Sequence, residues 1–278
     1  MLELRLSKKE FEDLLPIKLQ KVIHTESDLY HIKEENRLLK IYDKLDDVYL
    51  NEKKKNILNL IKFNNEEKIE ELIIPDGLVY VEDRFIGEIL PKIDGDTSTI
   101  HLYNKGVILK EKIDTLKGIG RILEKIRNSN PKFNACFSDV HSDNFMVSNG
   151  KVYAVDTSSM QILDSKGIVN FYLYQLSTMN VDKYKKDYTG IIEPSTDTDI
   201  YCYIMMILKF LSGSDLYILS IDKYNEYLEK LNRNGFDSNL INSFKSIYEN
   251  TNNINPLPYL DDLYDLDEKK LSIARKIF

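Results

Sequence analysis

Residues 137–144 read Phe-Ser-Asp-Val-His-Ser-Asp-Asn, a short polar segment that carries several side chains able to do chemistry. Within it, Asp139 is followed five positions later by Asn144. Two runs rich in apolar residues come next, separated by Asn149-Gly150, a dipeptide that is a strong hairpin-turn signal. The second run ends in Asp156. We therefore expect three oxygen-bearing side chains to come from one loop and the end of the neighbouring hairpin.

The part of the chain before this segment is predicted to form a sheet. A capping-box pattern at Ser7 and Glu10 predicts a short opening helix, and amphipathic spacing over residues 48–63 predicts a longer one. Runs of β-branched and aromatic residues predict strands at 21–23, 29–32, 38–42, 78–81 and 85–90. We expect residues 1–92 to form a five-stranded antiparallel sheet packed with one main helix.

The remainder, residues 93–278, is predicted to be mainly helical. Apolar residues recur at helical spacing between Ile108 and Ile126, and the apolar run Ile200–Leu211 predicts a buried helix. Residues 223–278 predict further helices with polar connections. The fold class expected from the sequence is therefore α+β, with a boundary after residue 92.

Composition narrows the classes of function. Of the 278 residues, 42% are apolar, which predicts a sizeable hydrophobic core. The net charge is −7, so we expect no overall positive potential that would attract nucleic acid or an anionic membrane. Cys136 and Cys202 stand in apolar runs, which is typical of reduced thiols, so we expect a cytoplasmic protein. The longest apolar run is broken by Lys209, so no membrane span is predicted. The histidines and cysteines lack metal-ligand spacing, so any metal is expected to be a hard cation held by oxygen.

The spacing Asp-x-x-x-x-Asn, the hairpin and the aspartate after it resemble the protein-kinase superfamily over most of the chain. The resemblance implies a bilobal fold with an N-terminal nucleotide-binding lobe (residues 1–92) and a helical C-terminal lobe (residues 93–278). It also implies ATP and Mg²⁺ as cofactors, with Asp139 as the catalytic base and with Asn144 and Asp156 as metal ligands. The alternative is that these aspartates only cap loops and turns, as isolated aspartates usually do.

Lys40, in the apolar run Leu-Leu-Lys-Ile-Tyr, resembles the kinase lysine that holds the α- and β-phosphates. The resemblance assigns its partner to the helix that follows, where Glu52 is the best candidate. A lysine in an apolar strand needs such a partner, because burying a lone charge is costly. The alternatives are that Lys40 extends to solvent from an edge strand and that Glu52 is simply exposed.

Two further segments resemble kinase elements. Residues 87–95 are similar to the hinge between the lobes, which implies that Leu90, Pro91 and Ile93 contact adenine; a simple strand exit is the alternative. Asp199, in Asp-Thr-Asp-Ile-Tyr, resembles the aspartate that braces the catalytic-loop backbone. Asp199 can also serve as a helix N-cap, and the two roles are compatible.

The chain departs from the kinase pattern in its phosphate loop. Residues 24–30 contain no glycine but include Glu26 and Asp28, so we expect weak ATP affinity. Phe137-Ser138 replaces the usual His-Arg, which argues against regulation by a phosphorylated activation loop. Asp-Phe-Gly becomes Asp156-Thr-Ser158, which keeps the metal ligand.

The leading expectation is a kinase that transfers the γ-phosphate of ATP to a Ser or Thr hydroxyl of a protein. The long segment between Asp156 and Asp199 favours a protein substrate, since it has room for an activation segment. His141 favours a small-molecule phosphotransferase, because aminoglycoside- and choline-kinase-like enzymes often carry histidine there. A pseudokinase that acts as a binding module and the transfer of AMP remain alternatives.

Overall fold

A computed structural model describes residues 2–14, 27–32, 36–42, 45–163, 194–214, 220–249, 263 and 266–278. In these ranges the fold is mixed α+β, with a five-stranded sheet, a three-stranded sheet and eight α-helices. The α+β class predicted from the sequence is confirmed. Within the same ranges, no helix combines the length and apolar character needed to cross a membrane.

The five-stranded sheet has the strand order β1-β4-β5-β3-β2. Its strands are β1 (Leu2–Leu6), β2 (Asp28–Ile32), β3 (Arg37–Ile41), β4 (Gly77–Val81) and β5 (Arg84–Pro91). Strands β2 to β5 lie within one residue of four predicted strands, and the strand predicted at 21–23 lies outside the described residues.

The prediction of a wholly antiparallel sheet is wrong, because β1 pairs in parallel with β4. The signal was the alternation of Leu2, Leu4 and Leu6 with charged residues, which has the period of two that a half-buried strand requires. After β1 the chain forms the predicted short helix α1 (Lys8–Leu14), and Ser7 and Glu10 exchange the hydrogen bonds of a capping box.

The helix α2 (Asp47–Glu67) lies between the sheet and the helical region. It begins where the Asp46 carboxylate accepts the backbone N–H groups of the first turn, and it ends at Lys68, which takes a left-handed conformation with φ of 51°. Leu50 and Ile57 of α2 pack on one sheet face. Leu60 and Phe63 join the main helical core, so α2 connects the two parts of the fold.

The opposite sheet face packs Leu39, Val79 and Ile86 against partly buried side chains that include Phe11 of α1. Gly87 in β5 is required by close packing of neighbouring strands. A Cβ atom there would lie 2.3 Å from the main-chain oxygen of Lys40. The close approach of β5 to β3 therefore fixes the position of the Lys40 main chain.

The described part of residues 93–278 is mainly helical, as predicted. Its helices are α3 (Ser98–Tyr103), α4 (Leu109–Arg127), α5 (Thr196–Ser212), α6 (Ile221–Arg233), α7 (Ser238–Glu249) and α8 (Glu268–Ile277). The small sheet contains β6 (Asp96–Thr97), β7 (Phe145–Ser148) and β8 (Lys151–Ala154). Asn149 and Gly150 have φ angles of 50° and 74°, which confirms the predicted hairpin between β7 and β8.

Candidate active site

The loop before β7 is organised by Asn144. Its side-chain Nδ2 donates to the main-chain oxygen of Asp139 at 2.9 Å and to the Asp139 carboxylate Oδ2 at 3.0 Å. The residue is buried at 7% exposure. Both bonds use the amide nitrogen, so neither of them occupies the Asn144 carbonyl oxygen Oδ1. The loop therefore fixes an aspartate and an amide oxygen in one rigid arrangement.

Asp139 has one satisfied carboxylate oxygen and one open oxygen. Oδ2 accepts from Asn144 and lies 3.4 Å from Nε2 of His141. Oδ1 is buried and has no hydrogen-bond partner among the described residues. A buried carboxylate oxygen without a donor is unusual, since such an atom loses its hydration without compensation. Asp139 is thus able to accept one further proton donor.

His141 stands beside Asp139 in the same loop. Burial lowers the pKa of His141, but the hydrogen bond to Asp139 and the carboxylates of Asp139, Asp143 and Asp156 raise it, and the net shift is upward. The positive form of the imidazole is therefore favoured by the acidic groups around it.

The hairpin brings Asp156 to this loop. The N–H group of Val155 donates to the main-chain oxygen of Asn144 at 2.8 Å, so the residue that follows lies next to the loop. Asp156 itself has φ of 54°, a left-handed conformation that turns the chain into the short 3₁₀-helix Thr157–Ser159. Such a conformation is costly for a non-glycine residue and is found where the surroundings enforce it.

Lys40 reaches Asp156 from the five-stranded sheet. Its Nζ forms a short ion pair with Asp156 Oδ1, with side-chain exposures of 12% and 35%. Burial raises the pKa of Asp156, but Lys40, with a further contribution from Lys53, lowers it to about 2. The sequence prediction placed Lys40 and Asp156 at one site, and the structure brings them into direct contact.

A buried glutamate that the sequence analysis did not single out lies beside Lys40. Glu88 of β5 stands directly opposite Lys40 in the sheet register and is 1% exposed. Its Oε1 accepts from the hydroxyl groups of Tyr42 at 2.6 Å and Ser158 at 3.0 Å, and lies 3.9 Å from Lys40 Nζ. Burial raises the pKa of Glu88, against the lowering effects of Lys40 and Tyr42.

The pairing predicted between Lys40 and Glu52 is corrected by this arrangement. Glu52 is exposed, and in the part of the chain that the structure describes the Lys40 ammonium forms ion pairs with the carboxylates of Asp156 and Glu88. Asn56, four positions and about one helical turn further along α2, contacts the site. Its Nδ2 donates to the main-chain oxygens of Ser158 and Met160, both at 2.8 Å.

Asp199 supports the other end of the loop, as the sequence analysis expected. It is 3% exposed and its carboxylate accepts the backbone N–H groups of Phe137 at 2.6 Å and Ser138 at 2.8 Å. Burial raises the pKa of Asp199 to about 7, although the two amide donors lower it. The N-cap of α5 is Ser195, which forms a capping box with Thr198.

The predicted hinge residues lie at and after the end of β5. Leu90 and Pro91 pair with Leu38 and Arg37 of β3, and Ile93 follows the strand; all three hinge residues are half-buried. Pro91 has no N–H group, so its backbone has only a carbonyl oxygen to offer a ligand. Of the acidic residues in the glycine-free loop, Asp28 is buried at the start of β2 and Glu26 lies outside the described residues.

A cation would find oxygen ligands here. The described ranges contain no group of three His, Cys, Asp or Glu side chains arranged to hold a metal. Asn144 and Asp156 instead offer an amide oxygen and a carboxylate, which are ligand types that suit Mg²⁺, an ion that keeps several waters and uses one or two carboxylates. No protein-family model and no curated protein matches this chain.

Proposed function

We propose that this chain is an ATP- and Mg²⁺-dependent kinase with a bilobal protein-kinase-like fold, divided after residue 92. It transfers the γ-phosphate to a hydroxyl group, that of Ser or Thr in a protein. The observation that carries the proposal is one connected set of contacts, from Asp139 through Asn144 to the hairpin and from Asp156 to Lys40. Phosphoryl transfer depends mainly on positioning and charge, and these side chains supply both.

Asp139 is the base in this proposal. Asn144 and His141 occupy its Oδ2, which fixes the carboxylate and leaves Oδ1 to accept the proton of an attacking hydroxyl. A base that is already held in one orientation loses little conformational entropy when it meets its proton donor. The unpartnered Oδ1 is thus explained as the place of a substrate hydroxyl.

Lys40, Asn144 and Asp156 hold the nucleotide and the metal. Asn144 Oδ1 and the Asp156 carboxylate are the metal ligands, and the Lys40 ammonium binds the α- and β-phosphates. When bound, Mg²⁺ neutralises charge on the triphosphate. The fit rests on the types of ligand, because the bonds of Asn144 to Asp139 use its nitrogen and do not occupy its oxygen.

The substrate class is tested by incubating the protein with γ-labelled ATP, alone and with a mixture of soluble proteins. Label on the chain itself or on added proteins supports a protein kinase. Label that appears only in a small molecule supports the second candidate, which is favoured by the contact of His141 with Asp139. A parallel reaction with α-labelled ATP detects transfer of AMP. No transfer in any arm, with nucleotide binding retained, supports a pseudokinase.

A further inference from the structure

Lys40 and Glu88 are held together by the sheet itself. They are opposed residues of the antiparallel strands β3 and β5, so their side chains leave the same face of the sheet. The contact between their ends is 3.9 Å, from Lys40 Nζ to Glu88 Oε1. The two side chains stay neighbours for as long as the two strands stay paired.

Burial of Glu88 is expensive for the fold. A carboxylate at 1% exposure loses its hydration, and an apolar residue of similar size would usually be as stable or more stable at such a place. Tyr42 and Ser158 satisfy Oε1, but Oε2 is buried without a hydrogen-bond partner among the described residues. Packing alone therefore does not account for a glutamate at position 88.

The α2 residues that act on the site supply no negative charge to Lys40. Asn56 is neutral and donates its amide nitrogen to the main-chain oxygens of Ser158 and Met160. Lys53 is positive and helps to lower the pKa of Asp156. Glu52 lies on the exposed side of α2. The neighbouring carboxylate of Asp156 is the one that the proposed function assigns to a metal ion, whereas Glu88 is the carboxylate that the strand register holds beside Lys40.

We propose that Glu88 is the positioning residue of Lys40 and keeps its ammonium directed at the nucleotide phosphates from within the sheet. This inference rests on the proposed function and adds to it a statement about regulation. Because the counter-charge comes from a neighbouring strand, the orientation of Lys40 does not depend on a charge carried by α2. The counter-charge stays beside the lysine for as long as β3 and β5 remain paired.

The test compares Glu88→Gln with Glu52→Gln, the same change on the strand and on the helix. Glutamine at 88 keeps an acceptor oxygen for Tyr42 and Ser158, removes the charge and puts an NH₂ group in place of the unpartnered Oε2. Affinities for Mg²⁺·ATP and for adenosine are measured by calorimetry. We expect Glu88→Gln to weaken ATP binding about 10-fold, a coupling typical of contacting residues. Adenosine binding should stay unchanged, because adenosine has no phosphates, and Glu52→Gln should match the wild type.

The same changes in a Lys40→Met background separate positioning from a structural role. If Glu88 acts through Lys40, Glu88→Gln has no further effect on ATP affinity once the lysine is gone. An equal loss in both backgrounds, or an equal loss for adenosine, overturns the inference. So does a loss with Glu52→Gln and none with Glu88→Gln. If the Glu88→Gln protein does not fold, Tyr42→Phe replaces it, because this change removes a hydroxyl that orients Glu88 and should give a smaller loss with the same dependence on Lys40.

The outcome for the wild type distinguishes the two proposals. Failure of the wild type to bind ATP contradicts the proposed function. Binding by the wild type that is unchanged in Glu88→Gln contradicts only the role of Glu88.

Discussion

The side-chain amide of Asn144 donates to both the main-chain oxygen and the carboxylate of Asp139, at 2.9 and 3.0 Å. This pair explains how a loop, which is usually the most mobile part of a fold, can carry a precisely oriented carboxylate. Asn144 holds the aspartate through its nitrogen, and in the proposed function its oxygen is a metal ligand. The chemistry proposed for this chain depends on that division of roles.

Replacing Asp139, the proposed base, should remove catalytic turnover and leave nucleotide binding intact. We expect Asp139→Asn to lower kcat about 1,000-fold, since general base catalysis typically contributes between 10²- and 10⁴-fold. The affinity for Mg²⁺·ATP should change little. The matched control is Asp143→Asn in the same loop, where the side chain is exposed. Equal turnover by wild type and Asp139→Asn would show that another group is the base.

The brace formed by Asp199 should matter for stability. Asparagine at this position can accept only one of the two backbone N–H groups of Phe137 and Ser138, and its own NH₂ group faces the other. We expect Asp199→Asn to lower the free energy of unfolding by about 1–3 kcal/mol, the cost of an unsatisfied buried donor. Urea unfolding measures this, with Asp197→Asn in the same helical turn as the control. Similar midpoints for the two variants would contradict the role given to Asp199.

The ion pair of Lys40 and Asp156 should make the free energy of unfolding depend on pH in the acid range. The pKa of Asp156 is lowered from 3.8 to about 2 in the folded protein, so the unfolded chain binds the proton more readily. The contribution of this group is therefore complete above about pH 4 and is lost as the pH falls through about 2. We expect the unfolding free energy of the wild type to fall more steeply over this range than that of Asp156→Asn. Parallel curves for the two proteins would argue against the pair.

Because β3 and β5 pack closely, adding one methyl group at Gly87 should lower the stability of the fold. Gly87→Ala places a Cβ atom 2.3 Å from the main-chain oxygen of Lys40, a contact that only a backbone shift can relieve. We expect a loss of stability of about 1–3 kcal/mol, as for other overpacked sites. Gly106→Ala is the control, because its Cβ would meet only the Asn104 side chain, at 3.3 Å. Thermal unfolding of the two variants measures the difference.

Local signals in the sequence were sufficient for most elements. The hairpin at Asn149-Gly150 and the capping box at Ser7 depend on a few adjacent residues, and both are present. The parallel pairing of β1 was not predicted, because parallel neighbours are joined through long connections that leave no turn signal. The period of two in Leu2, Leu4 and Leu6 could have identified the strand, although not its partner.

The partners of Lys40 could not be read from the sequence in the same way. Glu52 lies on the helix that follows Lys40, but the side chain that contacts the site is Asn56, one turn further along the same face of α2. Glu88 carried a signal, since it is the only charged residue between Phe85 and Leu90 in an apolar strand. Its pairing with Lys40 depends on the register of β3 and β5, which a single sequence does not specify.

The most direct measurement is calorimetric titration of the wild type and Asp156→Asn with ATP, each with and without Mg²⁺. The wild type should bind ATP weakly, in keeping with the glycine-free loop, and markedly better with Mg²⁺ than without it. Asp156→Asn should lose this dependence on the metal. If the wild type takes up no ATP at millimolar concentration, or if both proteins bind it equally with and without Mg²⁺, then Lys40, Asn144 and Asp156 do not form a nucleotide and metal site.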